Sequence, residues 1–399
     1  MIFFLKKRIC FIIILGLLCV NMEQIENVYA MEDMYSNAYA MIDGYNGRFL
    51  EGKNENEPLA NASTTKILTC IITLENIDTD KKVTVSEKAA KQPPVKLGMK
   101  VTEEYRIIDL LHCLMLESYN DCAVAIAESV AGSTEEFANL MNEKAKEIGC
   151  ENSYFITPNG LDAQNNGKNH HSSAKDLCKI MKYCCWDSTK SNEFKKITQQ
   201  KKYIFKNPEG VSVECINHNK MLFNNENVVS GKTGFTSKAG YCYVMAYEKA
   251  GKRMCIALLG CGWPDNNNYK WADAGRLIEY FEKNYVLESV GEKTGSIELS
   301  NKVHGKEISF ENWMEPYQMS FYYNNQTKIN YLLKDGEKIE RKEKFYKEIK
   351  FPICEDETIG VVEFYINNDK IHKKEIKSDS EVKKWNICDI IHLTLKEFY

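Results

Sequence analysis

The tightest constraint on this chain is the stretch Ala62-Ser63-Thr64-Thr65-Lys66, which runs into the apolar segment 67–74, Ile-Leu-Thr-Cys-Ile-Ile-Thr-Leu. A segment apolar on nearly every side belongs inside a protein, so a helix over it is expected to be buried and to hold rigidly whatever begins it. Ser63 and Lys66 are three residues apart, close to one helical turn, so Oγ and Nζ leave the same face. A serine hydroxyl becomes a nucleophile when a neighbour takes its proton. An amine can take it only if its pKa falls well below roughly 10.4, through desolvation or a nearby cation. A helix cap followed by a solvated lysine would satisfy the same residues, so the pair needs further motifs before it carries chemistry.

Two such motifs follow. Pro93-Pro94 and Gly98 mark a loop, after which 107–116 reads as a second buried helix ending at Glu117-Ser118-Tyr119-Asn120-Asp121, with another apolar helix over 122–130. S-x-N alone suits a helix cap, but between two apolar helices its hydroxyl and amide are placed to relay a proton and hold a substrate amide. Phe137, Leu140, Met141 and Ala145 predict one more amphipathic helix closed by Gly149, while Asn159-Gly160-Leu161-Asp162 and Ser172-Ser173-Ala174-Lys175-Asp176 read as a turn and a capped helix. Ser230-Gly231-Lys232-Thr233-Gly234-Phe235-Thr236 precedes two strands, 241–247 and 254–260. A phosphate-binding loop is excluded here, because position 226, where that motif requires glycine, is Glu226. Lys232 and Thr233 on an edge strand instead offer a cation and a hydroxyl to a carboxylate, and Gly234 lets a ligand approach the backbone. Upstream, 38–52 reads as a hairpin around Asn46-Gly47.

S-x-x-K, S-x-N and K-T-G in this order are the signature of penicillin-binding proteins and class A β-lactamases. With Gly160-Leu161-Asp162, Ser172-Ser173-Ala174 and Asn217-His218-Asn219 between them, residues 36–285 resemble the serine D-Ala-D-Ala carboxypeptidases, the low-molecular-mass penicillin-binding proteins. The resemblance implies an α/β fold of the penicillin-binding/β-lactamase-like transpeptidase type, an antiparallel sheet packed with helices plus a helical subdomain, followed by a small all-β C-terminal domain. It implies Ser63 as acylated nucleophile, Lys66 as general base and Ser118 as proton shuttle. Asn120 would hold the substrate amide, Lys232 and Thr233 the terminal carboxylate, Gly234 would bind substrate by letting it approach the backbone, and the backbone N–H groups of Ser63 and Phe235 would hold the oxyanion. His218 is a further candidate contact to that carboxylate. Peptidoglycan stem peptides and β-lactams are the implied ligands, with no cofactor and no metal. Tyr119, where the family usually has a small residue, predicts a narrower cleft. Two alternatives stand beside this reading, a serine β-lactamase and a non-catalytic wall-binding or β-lactam-sensing module. Against the first, Glu147 and Glu151, in the region where a deacylating glutamate is expected, are followed four residues later by Glu151 and Phe155, so neither begins an E-x-x-x-N segment.

At 399 residues the chain has room for such a two-domain arrangement, and a formal charge of -4 gives no reason to expect nucleic acid. Lys6-Lys7-Arg8 followed by the apolar run 9–20 matches a secretory signal over residues 1–30, with cleavage after Val28-Tyr29-Ala30. The expected domains are therefore 31–286, catalytic, and 287–399, β-rich, with strands at 307–310, 328–332, 348–351 and 361–366. An extracytoplasmic, cell-envelope location follows. Of fifteen cysteines, Cys10 and Cys19 leave with the signal; the odd remainder lacks C-x-x-C and sits in apolar text, which predicts buried free thiols. His170-His171 is the one histidine cluster and cannot converge on an ion by itself. Cys388, Ile391, Leu395 and Phe398 fall at helical spacing, compatible with a weak interfacial contact to membrane or with packing on the β domain.

Overall fold

Apolar side chains on both sides of a strand call for cover on both faces, and three central strands have that composition. In the computed structural model, β1 (Ala38–Asp43) and β2 (Phe49–Lys53) form the expected hairpin, and β3 (Val228–Thr236), β4 (Gly240–Lys249) and β5 (Lys252–Leu259) complete an antiparallel sheet of order β2-β1-β5-β4-β3. Residues 34–290, 293–299, 303–304, 317–323, 329–346, 351–384 and 386–398 are described. Ala40 pairs with Ala257 and Val244 with Ala257, so β5 is central, while β3 is an edge strand with Lys232 opposite Val244 and Thr233 opposite Tyr243. One face buries Ala40, Ile42, Val244, Ala246 and Ala257 in the main hydrophobic core, against which the helix Ala174–Lys182 packs. The other face carries Tyr243 and Tyr247, whose rings meet Trp271 and Phe281 of the helix Tyr269–Asn284 edge-on at 4.8 and 6.3 Å.

The helical part lies between β2 and β3 in the chain. A single 3-10 turn, Ala62–Thr65, leads into α1 (Lys66–Asn76), every residue of which from Lys66 to Leu74 is buried. The predicted helix over 107–116 is divided: α2 (Ile107–His112) continues as a π-helical turn, Cys113–Glu117, before α3 (Asn120–Ala131) and α4 (Thr134–Ile148). A π turn widens the helix by one residue and often marks a functional bend; here it delivers the chain to Ser118. Gly149 closes α4 at φ +85°, as a left-handed cap asks of a glycine. All cysteines among the described residues are free thiols, most of them buried, with Cys354 and Cys388 exposed.

The chain divides into two units between Lys283 and Asn284. In the second, a five-stranded antiparallel sheet joins 293–299, 317–323, 369–378, 358–366 and 339–345 in that order, and 285–290 pairs with 329–334. Its core is Met319, Phe321, Tyr331, Leu333, Val362, Phe364, Ile366 and Ile376 with their neighbours. The predicted strands at 329–332 and 361–366 fall within strands of this unit; of the predicted strand 348–351 only Phe351 is described, in a bend and not a strand, and Lys328, residues 307–310 and the signal segment 1–30 lie outside the described residues. The C-terminal helix, Ile387–Phe398, leaves Ile387, Ile391 and Leu395 exposed. No helix among the described residues is long and apolar enough to cross a membrane.

Candidate active site

The 3-10 turn, the π-helical turn and the edge strand β3 converge on a cleft of about 450 Å³ lined by Ser63, Ser118, Asn120, Thr233, Gly234 and Phe235, among others. Lys66 sits just beneath, fully buried, and Lys232 behind it is 2% exposed. Two non-glycine residues here adopt left-handed backbone: Ala62 at φ +49° and Ser118 at φ +68°. Each such residue costs on the order of 1 kcal/mol or more, and both occur where the chain must turn sharply to present a serine to the cleft.

Lys66 Nζ lies 2.8 Å from Ser63 Oγ, 3.0 Å from Asn120 Oδ1 and 2.7 Å from the Asn159 carbonyl oxygen. Asn120 Nδ2 donates to the Pro93 carbonyl at 3.2 Å, which fixes which end of that amide faces Lys66. Asn120 Oδ1 and Asn159 O can only accept. A neutral amine has two hydrogens and one lone pair, so with both hydrogens given to those acceptors the lone pair is left for the Ser63 hydroxyl, which then donates to Nζ. The electrostatics favour that neutral state. Burial drives the Lys66 pKa well below its ordinary value and the Lys232 charge pushes the same way, against weaker opposing effects of Cys122 and Asp121. Lys232 is itself brought down to about 7 by burial, with Glu117 acting in the opposite direction.

Gly234 is required by contact: a Cβ there would meet the Ser63 backbone nitrogen at 2.9 Å and that of Thr64 at 3.1 Å. The K-T-G strand is thus pressed against the turn Ala62–Thr65, and any side chain at 234 would force them apart. Phe235 is 40% exposed at the cleft wall, its ring 4.7 Å from that of Tyr241. His218 lines the cleft but its Nε2 is 2.8 Å from Glu117 Oε2, while Glu117 Oε1 accepts from the Ile216 N–H. Tyr119 does not narrow the cleft. It packs against the main hydrophobic core, because the left-handed Ser118 turns the following side chain inward.

Several contributors carried no sequence signal. Asn159 acts through its carbonyl, which any residue type possesses. Asp121, fully buried, accepts four backbone N–H groups, from Leu97, Gly98, Met99 and Cys122, and so ties the loop over the cleft to the start of α3. Lys270 and Trp271 reach the cleft from the helix Tyr269–Asn284; the Lys270 ammonium lies 4.4 Å from the Tyr241 ring and 4.9 Å from the Trp271 ring, and burial lowers its pKa to about 8. A lysine flanking an aromatic in a helix has no distinguishing pattern, and only the fold brings it to the site.

Comparison with known proteins agrees with this geometry. Residues 25–262 match the model of the peptidase S11 family, D-alanyl-D-alanine carboxypeptidase. The chain is 26% identical over 367 residues to D-alanyl-D-alanine carboxypeptidase DacF of Bacillus subtilis, covering 90% of this chain and 88% of that protein. Penicillin-binding protein 5 from Haemophilus influenzae has the same fold, with a TM-score of 0.70 at 22% identity over 88% of this chain and 98% of that one. Penicillin-binding protein D2 from Listeria monocytogenes, solved in a cefotaxime-bound form, superposes with a TM-score of 0.53 at 25% identity, over 62% of this chain and 97% of that one. With its three motifs gathered on one cleft and more than half its length matched by the family model, the chain belongs to the peptidase S11 family of serine-type D-alanyl-D-alanine carboxypeptidases.

Proposed function

We propose that the protein removes the terminal D-Ala from peptidoglycan stem peptides ending in D-Ala-D-Ala, through an acyl-enzyme on Ser63. The observation that carries this reading is the fully buried Lys66, its Nζ 2.8 Å from Ser63 Oγ and its two other partners both obligate acceptors. In acylation Ser63 Oγ bonds to the carbonyl carbon of the penultimate residue while its proton passes to Lys66. The C–N bond to the terminal D-Ala then breaks, and Ser118 relays a proton to the departing amine. Water hydrolyses the ester and restores Ser63. Lys232 and Thr233 receive the terminal carboxylate, Gly234 admits it to the backbone, and the N–H groups of Ser63 and Phe235 hold the oxyanion. Asn120 keeps one amide hydrogen beyond its bond to Pro93 for the substrate backbone.

A β-lactam presents a carboxylate and a strained amide to the same groups and acylates the same serine. Its turnover is slow, because the carboxylate of Glu117 at the cleft is already bound to Ile216 N–H and His218 and is not positioned as a second base. This argues against the β-lactamase reading, and the assembled Ser63–Lys66 pair argues against a non-catalytic module. Export by residues 1–30 would bring the enzyme to its substrate, and the exposed Ile387, Ile391 and Leu395 suit peripheral membrane contact. The test is release of D-Ala from a synthetic peptide ending in D-Ala-D-Ala, with intact-protein mass spectrometry after penicillin treatment. One adduct on the wild type and none on Ser63→Ala is expected; no D-Ala release, or an adduct that survives the substitution, overturns the proposal.

A further inference from the structure

The geometry points to His170 as a positioning residue for acylation: its ring clasps the nucleophile turn to the segment whose carbonyl holds Lys66, through Thr65 on one side and the backbone of Ile156 and Thr157 on the other. This inference rests on the acyl-enzyme reading above and adds a residue to it. His170 is 3% exposed and lies 105 residues from the turn it touches. Its Nδ1 faces two backbone donors, the Ile156 N–H at 3.0 Å and the Thr157 N–H at 3.3 Å. A nitrogen that accepts from N–H groups carries no hydrogen, so in the neutral ring the proton is on Nε2. Nε2 is 2.9 Å from Thr65 Oγ1 and therefore donates to it. Thr65 Oγ1 also accepts from Asn61 Nδ2 at 2.8 Å, which occupies both of its lone pairs.

The consequence is mechanical. Thr65 lies between Ser63 and Lys66 in the same turn, and Ile156 and Thr157 lead directly to Asn159, whose carbonyl accepts from Lys66 Nζ at 2.7 Å. The imidazole is thus a strut of fixed length between the two walls that hold Lys66. Gly160, at φ +81°, is pressed into the same seam: a Cβ there would meet the Ala62 carbonyl oxygen at 1.9 Å and Thr65 Oγ1 at 2.8 Å. The ring works only when neutral, since a protonated Nδ1 would confront two N–H groups. Burial, and after it the neighbouring His171, hold its pKa down to about 3. Without the strut, the seam at Gly160 can open and water can reach Lys66 Nζ, whose charged surroundings are Lys232 and Asp121, with the neutral Cys122 thiol beside them.

The experiment uses the full chain and a fluorescent penicillin, measuring the acylation rate of Ser63 across pH, with thermal unfolding of each variant alongside. His170→Asn retains an acceptor near Nδ1 and loses the donor to Thr65; Thr65→Val removes the acceptor at nearly constant volume. Each is expected to slow acylation between about tenfold and a hundredfold, as misplacement of a catalytic group does. Each should also move the rising limb of the pH profile to higher pH, because a solvated Lys66 regains its ordinary basicity. The double variant should be no slower than Thr65→Val alone, since that substitution already removes the His170–Thr65 bond together with the one from Asn61. His170→Gln, which keeps a donor near Nε2, should recover part of the rate lost in His170→Asn. Wild-type rate and an unmoved limb in Thr65→Val overturn the inference, as do additive effects in the double variant. If His170→Asn does not fold, Thr65→Val decides alone. Wild-type protein that is not acylated at Ser63 overturns the function reading instead, which separates the two failures.

Discussion

The two units of the chain spend burial differently. In the second, the core among the described residues is almost wholly apolar, with Glu363 and Ser378 as its buried polar exceptions. In the first, Lys66, Lys232, Asp121, His170, Asp176 and Asn61 are all nearly or fully buried. Burying an ionisable group costs several kcal/mol unless it is paired, bonded or neutralised, and the first unit uses the last two remedies. Asp121 is bonded by four N–H groups, His170 is kept neutral, and the two lysines have their basicity pushed down. A fold that only had to be stable would follow the second pattern. The first makes sense where a nitrogen must be held unprotonated beside a hydroxyl.

The largest effect expected from breaking this contrast is at the nucleophile. Ser63→Ala should abolish the covalent penicillin adduct altogether, by mass spectrometry, while leaving the thermal transition close to that of the wild type, since Ser63 is only partly buried and its hydroxyl bonds within the site. Next is Lys66→Ala. Loss of a general base typically costs about 10² to 10⁴ in rate, and the acylation rate should fall by that much in stopped-flow measurement. Near-wild-type acylation would remove Lys66 from the mechanism and leave substrate-assisted activation of Ser63.

How these residues could be found from the chain alone follows the same division. Ser63, Lys66, Ser118, Asn120, Lys232 and Thr233 are legible because each motif lies on one turn or one strand, where spacing alone sets geometry. The paired strands 38–43 and 49–53 and the buried helix from Lys66 were legible for the same reason. Asn159, His170, Glu117 and Lys270 were not, because their roles arise from contacts across the fold. His170 shows this best: beside His171 it reads only as a histidine pair that cannot hold an ion by itself, and its contact with Thr65 comes from 105 residues away. Tyr119 illustrates the converse, a local departure whose side chain the fold turns away from the cleft.

The pH dependence of acylation sharpens the contrast within the first unit, at a smaller scale. The rate needs Lys66 neutral, so it rises with pH through the depressed Lys66 pKa. It also needs Lys232 charged toward the substrate carboxylate, so in the free enzyme it falls again as pH passes about 7. A bound carboxylate favours the charged form of Lys232 and moves that falling limb upward. The acylation rate at saturating substrate should therefore decline at higher pH than kcat/KM does, with limbs that belong to the coupled pair of lysines. Identical alkaline limbs in the two profiles would remove Lys232 from carboxylate binding. Glu117→Gln removes the charge that supports Lys232, and should shift the falling limb of kcat/KM to lower pH.

The smallest effect on chemistry is expected from the largest injury to the second unit. Phe364 is fully buried in that core, with its ring 6.0 Å from that of Tyr323 and 6.2 Å from that of His372. Phe364→Ala removes those contacts and leaves a cavity, which typically costs about 3–5 kcal/mol. A core built almost entirely from apolar contacts has little else to compensate, so the unit should unfold at a markedly lower temperature. The site in the first unit draws every named group from residues before 284, so the acylation rate of Ser63 should stay within about twofold of the wild type. Two separated calorimetric transitions, only the one belonging to the second unit displaced, together with unchanged acylation, is the expected result. A matching fall in acylation would mean that the apolar unit supports the polar one, and the contrast between them would then describe composition without describing independence.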